Sequence, residues 1–312
     1  MRVNLVRKER SMFETEMKRE SVSTKPSMFE KVLVSMDLSP ATEALVSALP
    51  GLSAFGTREI TIVHVAKPIR GSTSEALATV DEIRGRLNGL VDQLREVGFE
   101  VSVRVPIGAP IPEVLKAVET KDPDLVMVGS RSHTLISDAF IGSVAWDIVR
   151  KAGRPVLLQR IEPNRGDPEA ALQSPGSGLP KHVVFPTDFS DTAERAHPWL
   201  LELAKENGPS FSLLHVLSSV SDEGRKAAER RLEELAAALR ERGATEVGYR
   251  VTIGTPYEEI LNAGGNRVDA MVVMGTHGRG LLPGVVLGSV GRQMVRHASA
   301  RVLLLPGSES EG

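Results

Sequence analysis

The 312-residue chain has no cysteine. That rules out disulfides, thiolate metal sites and cysteine nucleophiles, and it suits a reducing, cytoplasmic setting. Aromatic residues are only 4% of the chain, too few for the stacking platforms that hold single-stranded nucleic acid. Neither sign of charge predominates: 38 Lys and Arg against 40 Asp and Glu leave a net charge of −2. A non-specific nucleic-acid binder would be far more basic. No apolar run approaches the roughly 20 residues that span a bilayer, so no membrane partner is expected. The P-loop pattern GxxxxGK[ST] and the nucleophile elbow GxSxG are both missing. His215 has no second histidine or acid at metal-ligand spacing around it, so a protein-held metal is not expected.

What is present is a chain that is 41% hydrophobic and 25% charged, enough for two cored domains of about 150 residues. The sequence repeats itself. KVLVSMDLSPATEAL from Lys31 parallels HVVFPTDFSDTAERA from His182, which sets Asp37 and Asp188 151 positions apart. His64 and His215 share that offset, whereas Gly108 and Gly254, Gly129 and Gly275, and Gly142-Ser143 and Gly288-Ser289 lie 146 apart. The second copy is thus five residues shorter between its second and third strands. Each copy alternates strand and helix, which predicts a parallel sheet covered on both faces. The clearest helix is DEGRKAAERRLEELAAALRERG, with an apolar stripe of Leu232, Leu235, Ala236 and Leu239 and a stop at Gly243. Its counterpart in the first copy is weakened by Gly85 and Gly89. The division expected is an amino-terminal extension (1–27, a tail or short helix), a first domain (28–160), a Pro, Gly and Ser-rich linker (161–180), a second domain (181–306) and a short tail (307–312).

The most informative stretch runs from Asp269 to Leu305. An apolar strand, Ala270 to Met274, ends at Gly275; Gly278 follows, and after nine more residues Gly288-Ser289 opens a segment with helical spacing. Taken singly, each glycine reads as a turn. Together they describe an anion site, because glycine lets backbone approach a phosphate and a helix start offers unpaired N–H groups. The Ser289 hydroxyl would cap the helix or bond a phosphate oxygen.

This spacing, GxxG then nine residues then GS, resembles the nucleotide-binding motif of the universal stress protein family. The resemblance covers residues 28 to 306 as two family domains. It implies two tandem open-twisted parallel five-stranded sheets flanked by helices, Rossmann-like and similar to the adenine nucleotide alpha hydrolases. It also implies binding of ATP, or AMP or ADP, with Mg2+ arriving on the nucleotide, and a regulatory role in stress survival. Carried onto this sequence, the second-copy site would comprise Thr187, Asp188, Val216, Met274, Gly275, Gly278, Arg279, Gly288, Ser289 and Val290. Asp188 would lie beside the base and ribose, the Val216 backbone would pair with the adenine edge, and Gly288, Ser289 and Val290 would present N–H groups to the phosphates. The bland alternatives are an Asx turn or helix-start acid at Asp188, a packed core histidine at His215 and a solvated loop cation at Arg279.

The first copy departs from the motif. Asp37, Val65, Gly129, Gly142, Ser143 and Val144 match, but Ser132 stands where the second glycine belongs. If that position needs a positive φ, serine costs about 1 kcal/mol or more, so this copy is expected to bind more weakly. The family also pairs through its last strand, here Pro155–Leu158 and Val302–Leu305, so the copies are expected to pair within one chain, with a homodimer beyond that. No residue is placed by motif as a base for attacking water, so weak ATP hydrolysis at most is expected. A slow hydrolase or phosphotransferase, and a nucleotide-independent scaffold, are the other readings.

Overall fold

The computed structural model describes residues 28–68, 73–131, 142–161, 178–276 and 287–307. The first half runs β1 (Lys31–Ser35), α1 (Pro40–Ala48), a 3-10 segment (Leu49–Phe55), β2 (Glu59–Val63), α2 (Thr73–Glu96), β3 (Glu100–Arg104), α3 (Pro110–Lys121), β4 (Leu125–Arg131), α4 (Ser143–Lys151) and β5 (Val156–Ile161). The second half repeats the plan: β6 (His182–Pro186), α5 (Asp191–Glu194), α6 (His197–Leu203), β7 (Ser210–Leu217), α7 (Asp222–Glu241), β8 (Val247–Ile253), α8 (Pro256–Ile260), a π-type turn (Leu261–Gly265), β9 (Ala270–Gly275), α9 (Ser289–His297) and β10 (Arg301–Leu305).

The strands form one ten-stranded sheet in the order β3-β2-β1-β4-β5-β10-β9-β6-β7-β8. Within each half all pairings are parallel. The halves join where β10 pairs antiparallel with β5 through Val302–Leu158, Leu303–Leu157 and Leu304–Val156. The two edges expected to meet within one chain do so. Because the joint is antiparallel, the strand C-termini of the two halves point to opposite ends of the sheet, and any two strand-end sites face away from each other.

Alternation along the strands sorts side chains onto two faces. Val32, Val34, Leu303 and Leu305 pack with α1, α2, α6 and α7; Leu33, Val302 and Leu304 pack with α3, α4, α8 and α9. Both cores run continuously across the joint. Phe29, before β1, stacks on Trp199 of α6 at 4.5 Å, and the Arg296 guanidinium of α9 lies over the Trp146 ring of α4. Helix α2 runs unbroken for 24 residues, since Gly85 and Gly89 face open space and cost only propensity. The stripe on α7 is buried as its spacing predicted, and Gly243 follows at φ 109°.

Strand β5 is longer than its apolar core implied. It continues through Gln159, Arg160 and Ile161, all buried. The reason lies across the joint. Arg160 donates from Nε to the Ala300 carbonyl, from one terminal nitrogen to the Ser130 hydroxyl and the Val295 carbonyl, and from the other to the Met294 carbonyl. It caps the carbonyl end of α9, where helix geometry leaves acceptors over and favours a cation. Arg301, at the same end of the β5–β10 ladder, is also buried, donates to the Gly178 carbonyl, and has its pKa lowered to about 10 by burial.

The second half turns sharply before β9. Gly264 sits at φ 117°, and a Cβ there would come within 2.8 Å of the His182 ring. That ring is fixed, with Nε2–H donating to the Ala263 carbonyl and Nδ1 on the Ser210 hydroxyl. Gly264→Ala should therefore destabilise the protein by about 2 kcal/mol, from the left-handed backbone together with the displaced ring. Urea denaturation would check it, and an unchanged midpoint would show that the turn relaxes freely. No helix among the described residues is long and apolar enough to cross a membrane.

Candidate functional site

In each half the order of strands reverses direction between two neighbours, β1 and β4 in the first half and β6 and β9 in the second. Helices leave those two strands toward opposite faces, so a crevice opens beyond their C-terminal ends.

The strand-end corner is built alike in both halves. Leu38 and Phe189 each follow the aspartate with φ 57°. The carboxylate of Asp37 accepts from the Ser39 N–H at 3.0 Å, and that of Asp188 from the Ser190 N–H at 3.0 Å. The Asx turn is thus real, and it fixes one carboxylate oxygen while orienting the group at the strand end. His64 Nδ1 donates to the Met36 carbonyl at 3.1 Å, and His215 Nδ1 to the Thr187 carbonyl at 2.7 Å. These histidines tie the second strand of each half to the first, so their role is packing and alignment; Val65, which follows His64, lines the first-half cavity, and Val216 holds the same place after His215. In the second half Phe189 stacks on His215 at 4.6 Å and carries the Arg231 guanidinium on its ring, 4.2 Å from the centroid. Arg231 also pairs with Glu194.

On the other side of the second crevice, Met274 is buried and Gly275 half-buried at the end of β9. The Thr276 N–H donates to the Leu305 carbonyl, and the Thr276 carbonyl accepts from the Gly288 N–H at 2.9 Å. This corrects the expectation that Gly288 offers its N–H to a phosphate: that group closes the base of the loop instead. Ser289 and Val290, in the first turn of α9, keep N–H groups that have no acceptor within the helix. The N-cap, Gly288, supplies no side-chain cap in their place. Gly278 and Arg279 lie outside the described residues.

The first half holds a cavity of about 810 Å³ at the same place. Asp37, Val65, Gly129, Gly142, Ser143 and Val144 all line it. Ser132 lies outside the described residues. The structure adds lining residues that motif reasoning missed: Thr42 and Leu45 from α1, Lys67 after β2, and Ile161 at the end of β5. The repeat offsets held a usable signal for two of them. Thr42 aligns with Ala193, and Ile161 with Gly307, so the copies differ in polarity at one position and bulk at the other.

Comparison with known proteins agrees with this architecture. The model of the universal stress protein family matches residues 28–160 and again 180–306. A universal stress protein of Mycolicibacterium smegmatis is 25% identical over 305 residues, 88% of this chain and 96% of its own. One from Mycobacterium tuberculosis is 29% identical over 236 residues, 69% of this chain and 71% of its own. Among solved structures, a universal stress protein from Archaeoglobus fulgidus shares the fold with a TM-score of 0.69 at 22% identity, over 91% of this chain and 98% of that one. With both halves matched by one family model and relatives that span nearly the whole chain, this protein belongs to the universal stress protein family.

Proposed function

We propose that the protein binds adenine nucleotides, ATP first, in its second half and acts as a regulator in stress responses. The observation that supports this reading is topological: Asp188 just past β6, Val216 near the end of β7, Gly275 at the end of β9 and the open first turn of α9 all belong to the C-terminal side of the strands around the β6–β9 switch in order. Strand-end backbone and a carboxylate suit a base and ribose; the N–H groups of Ser289 and Val290, at the positive end of the helix dipole, suit phosphate oxygens. Gly278 and Arg279 would complete the phosphate end on the loop. No cluster of three or more histidines and acids occurs among the described residues. Magnesium would arrive on the nucleotide, held mainly by phosphate and water. Since β5 and β10 occupy each other, a homodimer would have to form on another surface.

Mass spectrometry of nucleotide co-purifying with the protein, followed by calorimetry with ATP and magnesium, tests the reading. One tight ATP per chain is expected. A protein that neither retains nucleotide nor binds added ATP would leave the scaffold reading in its place.

A further inference from the structure

We propose that the first-half cavity is a separate ligand site that takes a nucleoside or nucleoside monophosphate in preference to a triphosphate. This rests on the nucleotide reading of the second half, because it comes from comparing the two crevices part by part.

The base end is the same in both. The positive φ after the aspartate, the Asx turn and the histidine-to-carbonyl bond recur in each half. The uncapped helix start at Gly142 and Gly288 recurs too, but the strand end that faces it does not. Strand β4 stays paired with β5 past Gly129, through Ser130 and Arg131, which carries Ile161 alongside the strand end. The Ile161 side chain lies directly against Gly129: a Cβ built on that glycine would be 2.6 Å from Ile161 Cδ1. The open face that a motif glycine would offer to phosphate is thus covered by an isoleucine, and the aligned position in the second half, Gly307, has no side chain. Ser132 in place of the second glycine acts in the same direction.

A second observation points to a ligand. Thr42 lines the cavity, is only 9% exposed, and its hydroxyl has no hydrogen-bond partner among the described residues. Buried hydroxyls without partners are costly and uncommon. The aligned residue of the second half is Ala193, so this polar atom belongs to the first cavity alone. Most of the remaining wall is apolar, which suits a base and sugar, and Lys67 with the start of α4 can serve a single phosphate.

Calorimetric titration of adenosine, AMP and ATP–magnesium into the full-length protein and its variants tests this. In Gly278→Val, which disables the second-half site, adenosine and AMP should still bind at one site per chain, at least tenfold more tightly than ATP does. Thr42→Val should weaken adenosine about fivefold, the loss of one hydrogen bond, and raise the melting temperature of the ligand-free protein by removing an unpaired buried hydroxyl. Thr42→Ser, which keeps the hydroxyl, should keep the affinity, and Ile161→Gly should bring ATP closer to AMP. Equal affinity for ATP and AMP in the first half, or adenosine binding unchanged in Thr42→Val, would overturn the proposal. ATP bound by the second half with no adenosine site elsewhere would overturn it alone; an adenosine site in a chain that binds no ATP would instead overturn the reading of the second half.

Discussion

Arg160→Ala should lower the stability of the whole chain by about 3 kcal/mol or more, read as a shift in the denaturant midpoint. The side chain is fully buried and donates to three carbonyls and one hydroxyl. Removing it leaves those acceptors in a space that alanine does not fill, and each orphaned buried group costs about 1–3 kcal/mol. Part of that loss is offset because a buried cation no longer has to be desolvated, and the Met294 carbonyl keeps the Ala298 N–H. Arg160→Lys should fall between wild type and alanine, since one ammonium cannot reach acceptors that a planar guanidinium serves from several edges. Midpoints unchanged in both variants would mean that the joint does not depend on this residue.

Gly278→Val should weaken ATP binding by the second half at least tenfold, about 1.4 kcal/mol, in a protein that still folds. The motif places this glycine between the end of β9 and the start of α9, where backbone must approach phosphate and a branched side chain would intrude. Calorimetry beside a thermal melt separates lost binding from lost structure. Unchanged ATP affinity in the folded variant would remove the glycine loop from the site.

Much of the fold could be read from residues alone because it follows local rules. Apolar runs such as Ala270–Met274 became buried strands, the α7 stripe became a packed face, and the repeat offsets matched equivalent elements in the two halves. The apolar runs at Val156 and Val302 had to find a partner, and each found the other. Arg160 was not legible. Its partners in α9 lie 134 and 135 positions away, and nothing near it in sequence announces a helix end. An arginine after an apolar run looks like the end of a strand, whereas here it is held inside one. The candidate site was legible in its residue types but not in its bonding. Spacing brought Gly288 to the crevice, yet only the fold shows its N–H committed to Thr276. The first-half cavity is not legible as a unit, because it is walled by residues from α1, α2, α3 and β5 that no motif groups together.

The antiparallel joint between β5 and β10 is made by strands of one polypeptide. Its closure therefore does not follow mass action: dilution that would dissociate two separate subunits leaves these strands beside each other at the high local concentration set by the tether. Two separate identical subunits would also be compelled to carry the same side chains on both sides of their shared axis. A single chain has no such restriction, so one end of the ladder holds Arg160 and Arg301 while the residues aligned with them in the opposite copies are Pro306 and Pro155. Joining the halves covalently is what leaves each free to change its own crevice while the sheet they share stays closed.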